Sequence, residues 1–121
     1  ESLVAQSDLV SIHINYVPKN HHLFNDALFS SFKKGSVLVN TARGGLVDSL
    51  ALLRQLESGH LAGAALDVIE NEHAHADSPL IAYAREHDHL LITPHMGGNT
   101  VESFEKTEVF MAEKLKFVLQ K

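Results

Sequence analysis

Four short apolar runs divide the chain, each set off from the next by a loop or by a segment with helical spacing. Residues 8–14 (DLVSIHI) are rich in β-branched side chains and bounded by polar ones. Ser36–Asn40 (SVLVN) follows the turn signal Lys33-Lys34-Gly35, residues 62–68 (AGAALDV) follow Gly59, and residues 90–93 (LLIT) stop at Pro94. Short runs that are apolar on both faces, without alternation, mark parallel strands covered by helices. The intervening segments agree. Residues 25–32 predict a short helix presenting Leu28 and Phe32, and residues 48–58 align Leu50, Leu53 and Leu56 between an Asp48 N-cap and Gly59. Residues 99–118 predict the longest helix, capped by Asn99 or Thr100, with Phe104, Met111 and Leu115 expected to face a core. Residues 1–6 read as a further helix, and 69–88 as an acidic, histidine-rich loop with one helical turn at 80–85. Strands alternating with helices imply βαβ units, hence an α/β fold on a parallel sheet with helices on both faces.

Composition narrows the function. Ten Lys and Arg against fifteen Asp and Glu leave a net charge of -5 with no basic run, which speaks against nucleic acid or an anionic membrane as a partner. No apolar run approaches the roughly 20 residues of a membrane span. The chain contains no cysteine, so disulfides, thiolate metal sites and a cysteine nucleophile are excluded. Acidic balance and missing cysteines fit a cytoplasmic protein.

Ligands of open parallel sheets bind beyond the carboxyl ends of the strands, so the residues that follow each run carry the chemistry. The second run leads into Thr41-Ala42-Arg43-Gly44-Gly45, the third ends at Asp67 and leads to Glu70 and Glu72, and the fourth leads into Pro94-His95-Met96-Gly97-Gly98. Arginine offers a planar fork for a carboxylate, histidine moves a proton near neutral pH, and a carboxylate beside it fixes its tautomer. The glycine pairs allow backbone to approach a flat ligand. Together they suggest proton transfer on a small carboxylate-bearing substrate. Taken alone, Asp67 could merely cap the loop after it. His13 reads as a strand-end histidine or as a cofactor neighbour. The pairs His73/His75, His87/His89 and His21/His22 lack the spacing of helix-borne metal ligands and read as solvated loop, so no metal is expected.

Four strings, SDLVSIH at 7–13, KGSVLVNTARGGLVD at 34–48, GAALDV at 63–68 and TPHMGGNT at 93–100, occur in an order and spacing that resemble the D-isomer-specific 2-hydroxyacid dehydrogenase family. The likeness covers nearly the whole chain and matches the later half of that family's Rossmann-like nucleotide-binding domain, plus the helix that follows. It implies hydride transfer between a nicotinamide, of NAD or NADP, and a small 2-hydroxy or 2-oxo acid. By that pattern Arg43 binds the substrate carboxylate, His95 is the general acid or base, and Glu72 is its partner. Asp67 accepts from the nicotinamide carboxamide, while His13, Thr41, Ala42, Arg43, His95, Gly97 and Gly98 line the cofactor. Two positions depart from the pattern, with Asn15 and His73 where the family usually has proline. Glutamate at 72 differs from the glutamine of the related formate dehydrogenases. The family's transcriptional corepressors supply an alternative of another class, a cofactor-sensing or oligomerisation module without catalysis.

No G-x-G-x-x-G motif occurs in residues 1–121. That motif supplies the pyrophosphate site on a helix N-terminus, so residues 1–121 are expected to form part of a nucleotide-binding domain, with the glycine-rich half and the substrate domain outside them. The first run, normally paired with a strand of that half, is then an open edge and is expected to drive a homodimer. We expect the 121-residue chain to bind NADH only weakly and not to turn over. Low-micromolar affinity in a calorimetric titration would contradict this.

Overall fold

The computed structural model describes residues 2–73 and 78–120. In chain order they form α1 (Ser2–Gln6), β1 (Leu9–Ile12), α2 (Asp26–Phe29), β2 (Ser36–Asn40), α3 (Ser49–Glu57), β3 (Leu61–Leu66), α4 (Pro79–Ala84), β4 (Leu90–Ile92) and α5 (Val101–Leu119), with single 3-10 turns at Pro18–Asn20 and Gly44–Leu46. The two longest helices, α3 and α5, start where a side chain satisfies free backbone N–H groups. Asp48 accepts from Leu50 and Ala51 at 3.0 Å, and Thr100 accepts from Ser103 at 3.2 Å. Asn25 does the same for the short α2.

The four strands form one parallel sheet in the order β1-β2-β3-β4. The predicted runs are found: β2 keeps its bounds, β1 and β4 are shorter, and β3 begins one residue earlier and ends two earlier. β1 stops at Ile12, opposite Asn40, because the β2 chain turns away after Asn40 and offers no further partner. β3 begins at Leu61 and ends at Leu66, which frees Asp67 to leave the sheet.

The Rossmann-like sheet carries its helical cover differently from the expectation. In register, Val10, Leu38, Ala64 and Leu90 line up on one face and join Phe29 of α2, Leu52 and Leu56 of α3 and Leu80 of α4 in a single core. On the opposite face Leu9 and Leu91 are 57% and 60% exposed. The cause is topological. Every crossover steps to the next strand in the same direction, and right-handed crossovers repeated in one direction put their helices on one side. Covering both faces requires the order to reverse, which it does not do within this sheet.

A second expectation fails at α5. Phe104, Met111 and Leu115 are 58%, 59% and 59% exposed, and the helix buries none of its residues. Its apolar stripe is present, but the side chains that form it stay exposed. The outer edge of β1 has no strand partner among the described residues. No described helix is long and apolar enough to cross a membrane.

Candidate active site

The chain leaves β3 at Asp67, and this residue organises the loop that follows β4. Asp67 is 7% exposed. Its Oδ1 accepts from the Thr93 hydroxyl at 2.5 Å and the Met96 N–H at 2.9 Å, and its Oδ2 from the Gly97 N–H at 2.6 Å. These bonds hold the carboxyl below its ordinary value, the Thr93 hydroxyl first, then the two backbone N–H groups, with nearby His95 adding to them against the cost of burial. A carboxylate has about four acceptor positions, so three are spent inside the chain.

The loop held in this way carries His95. Its backbone lies in the left-handed region at φ 49°, which an L-residue adopts only when its surroundings enforce it. Its Nδ1 lies 2.7 Å from Oε2 of Glu72, delivered by the loop after β3. With Nδ1–H pointing at a carboxylate, the tautomer is set and Nε2 is the nitrogen left for proton transfer. The pair opens onto a cleft of about 620 Å³ whose far wall is apolar, with Ile81, Ala84 and Leu91.

Arg43, Thr41, Ala42 and His13 line a different crevice of about 520 Å³ at the carboxyl ends of β1 and β2, together with Tyr16. Arg43 is exposed and donates to its neighbour's carbonyl, Ala42 O, at 2.6 Å. His13 is also exposed, its Nε2 2.8 Å from the Ser11 hydroxyl. The structure thus joins Glu72 to His95 directly and sets Arg43 in the neighbouring crevice along the same strand-end edge.

Asn40 escaped the sequence reading, while Glu70, His22 and the glycines were named there without the contacts they make. Asn40, fully buried, accepts from Ala42 N–H at 3.0 Å and donates to Arg43 O at 3.1 Å, so it shapes the arginine loop from below. A polar residue closing a strand whose centre is apolar was its only signal. Glu70 accepts from the Ser49 N–H and hydroxyl at 3.3 and 2.9 Å, placing negative charge at the start of α3, and its other oxygen is 2.5 Å from Nε2 of His22. His22 therefore does not behave as plain solvated loop. The glycines were read as clearance for a ligand, but Gly44 and Gly97 give that clearance to the chain itself. A Cβ on Gly44 would lie 2.1 Å from the Ile69 carbonyl, and one on Gly97 2.7 Å from Asp67 Oδ2. His75, of the His73/His75 pair, lies outside the described residues.

The family profile described as D-isomer specific 2-hydroxyacid dehydrogenase, NAD binding domain, matches residues 1–97. The chain belongs to this family. It is 39% identical over 120 residues to D-3-phosphoglycerate dehydrogenase 2, chloroplastic, of Arabidopsis thaliana, covering 99% of this chain and 19% of that protein. It is 37% identical over 120 residues to glyoxylate reductase of Thermofilum pendens, covering 99% of this chain and 34% of the relative. Among solved structures, the NAD-complexed D-isomer-specific 2-hydroxyacid dehydrogenase of Lactobacillus delbrueckii ssp. bulgaricus superposes with a TM-score of 0.85 at 27% identity, covering 97% of this chain and 40% of that one. The chain thus spans about a fifth to a third of the length of these two curated relatives.

In this dehydrogenase domain Asp67 decides where the histidine loop sits. Its lowered carboxyl value fixes the sign of a pH effect. The stability it contributes is complete above the unfolded carboxylate value near 4 and is lost as pH falls through the folded value. Asp67→Asn is expected to cost about 1–3 kcal/mol at neutral pH, because the amide sets an N–H against an N–H or hydroxyl donor. Urea midpoints of the two proteins should converge as pH falls from about 6 to about 2.5. A gap that stays constant with pH would contradict the assignment.

Proposed function

We propose that residues 1–121 form the nicotinamide-side half of a nucleotide-binding domain in an NAD- or NADP-dependent D-2-hydroxyacid dehydrogenase. The observation that carries this is the contact of His95 Nδ1 with Glu72 at 2.7 Å, on a loop pinned by a buried carboxylate. Retention of Arg43, Glu72 and His95 together favours the enzyme over a cofactor-sensing or oligomerisation module, although the family's corepressors can keep such a triad. Membership of a family whose matched region is described as NAD-binding supports the cofactor class.

The residues present fit such a cofactor. A crevice of about 520 Å³ at the strand ends is within the range that holds small ligands, and Asp67 retains one acceptor position beside the Gly97-Gly98 backbone. His13, Thr41 and Ala42 would lie against the cofactor, and Asp67 would accept from its carboxamide. The chemistry that a bound nicotinamide supplies is hydride transfer between its C4 and C2 of the acid. Arg43 presents two parallel N–H groups to the substrate carboxylate, which fixes C2 in place. His95 gives its Nε2 proton to the carbonyl oxygen in reduction and removes the hydroxyl proton in oxidation. Glu72 stabilises the imidazolium that forms in the second direction. Such proton transfer is worth about 10²- to 10⁴-fold in rate.

In the full-length enzyme, His95→Gln is expected to lower turnover by at least about 10²-fold while leaving NADH affinity nearly unchanged. Arg43→Lys is expected to raise KM for the 2-oxo acid, because a point charge cannot reproduce the fork. Wild-type kinetics in either variant would overturn the assignment. The outer edge of β1 presents unpaired backbone groups beside the exposed Leu9, and such edges pair with a second copy. We expect the 121-residue chain to sediment as a homodimer that Ser11→Pro disrupts. A monomer at high concentration would count against that reading.

A further inference from the structure

We propose that His21, His22 and Glu70 form a binding site for a borderline divalent cation of the zinc class, separate from the redox centre and independent of its assignment. The three side chains each offer one ligand atom, and these atoms lie within 4.8 Å of one another. In a tetrahedral shell with bonds of about 2.0–2.1 Å, ligand atoms stand about 3.3 Å apart. The remaining closure falls to His21, whose exposed ring turns without disturbing a core. Its ring now stacks on that of His22, with centroids 3.8 Å apart and planes at 24°, so it is His21 that swings out of the stack to bring its in-plane lone pair onto the ion.

The surroundings have the form of a ligand shell with outer support. The Tyr16 hydroxyl is 3.2 Å from His21 Nδ1, and in the tautomer whose Nδ1–H donates to that hydroxyl, His21 Nε2 is the ligand atom. Ser49 donates its hydroxyl and its N–H to Oε2 of Glu70, so Oε1, at 2.5 Å from His22 Nε2, is the oxygen turned toward the site. Hydrogen bonds to the second atom of a ligand are what orient imidazole and carboxylate in metal centres. The backbone beneath is fixed as well. The His22 N–H donates to Gly45 O at 2.9 Å, and Gly44 packs directly on the Ile69–Glu70 peptide. Two imidazoles and one carboxylate suit Zn²⁺, Co²⁺, Ni²⁺ or Cu²⁺ better than Mg²⁺ or Ca²⁺, which prefer all-oxygen shells. The fourth position of a tetrahedral ion is left to water.

An ion there would clamp the loop after β1 to the loop after β3, two residues before Glu72. Zn²⁺ titrated into the tag-free chain by calorimetry is expected to bind at one equivalent and raise the melting temperature, and Co²⁺ to give the visible bands of low-coordinate cobalt. His21→Ala, exposed and harmless to folding, and His22→Ala should each weaken Zn²⁺ binding by more than about tenfold. His87→Ala and His89→Ala, in a separate histidine cluster around Tyr83, should leave it unchanged. Absence of Zn²⁺ binding would overturn the proposal. Binding that survives both His21→Ala and His22→Ala, or that disappears with His87 and His89 instead, would overturn it as well.

Discussion

The hydrogen bonds that Thr93, Met96 and Gly97 donate to Asp67 tie the end of the third strand to the loop beyond the fourth. Three donors converge on one buried carboxylate, and each bond to a charged acceptor is worth more than a neutral one. They fix the path from Pro94 to Gly98, and with it the height at which His95 meets Glu72. Without them the loop has few other anchors, since Met96 and the residues around it are exposed. The geometry of the Glu72–His95 pair therefore rests on a third residue, Asp67.

Sheet topology sets the stage for that contact. Because the strands run parallel in sequential order, all four deliver their following loops to one edge. Residues distant in sequence, Arg43, Glu72 and His95, gather there without any of them lying in the core. Gly44 and Gly97 permit the close passage of neighbouring loops, so the edge is a contiguous surface of main chain and not four separate turns. The single-sided core follows from the same handedness, which leaves Leu9 and Leu91 in the open.

Much of this was legible in the sequence. The four apolar runs, the Asp48 and Thr100 caps and the residues that follow each strand are local patterns, and local patterns survive folding. Strand ends were less legible because they depend on where the neighbour stops, as at Ile12 opposite Asn40. The burial of α5 was misread because periodicity reports an apolar stripe but not what lies against it. Pairs such as His22 with Glu70, 48 positions apart, leave no trace in sequence spacing. Nor does the division of Asp67 among three donors. Its candidate roles were both visible, yet only the folded loop shows how many of its acceptor positions the chain uses. The arginine, glutamate and histidine were found through a linked set of motifs, and what the fold adds is the direct bond between the latter two.

The left-handed backbone at His95 carries an evolutionary implication. A glycine or asparagine would occupy that conformation at lower cost, so folding stability alone favours losing the imidazole. On the role proposed for His95, selection for stability and selection for chemistry pull this position in opposite directions. A lineage released from the need for proton transfer would drift toward the relaxed residue, and the sequence at this one site records which pressure has prevailed.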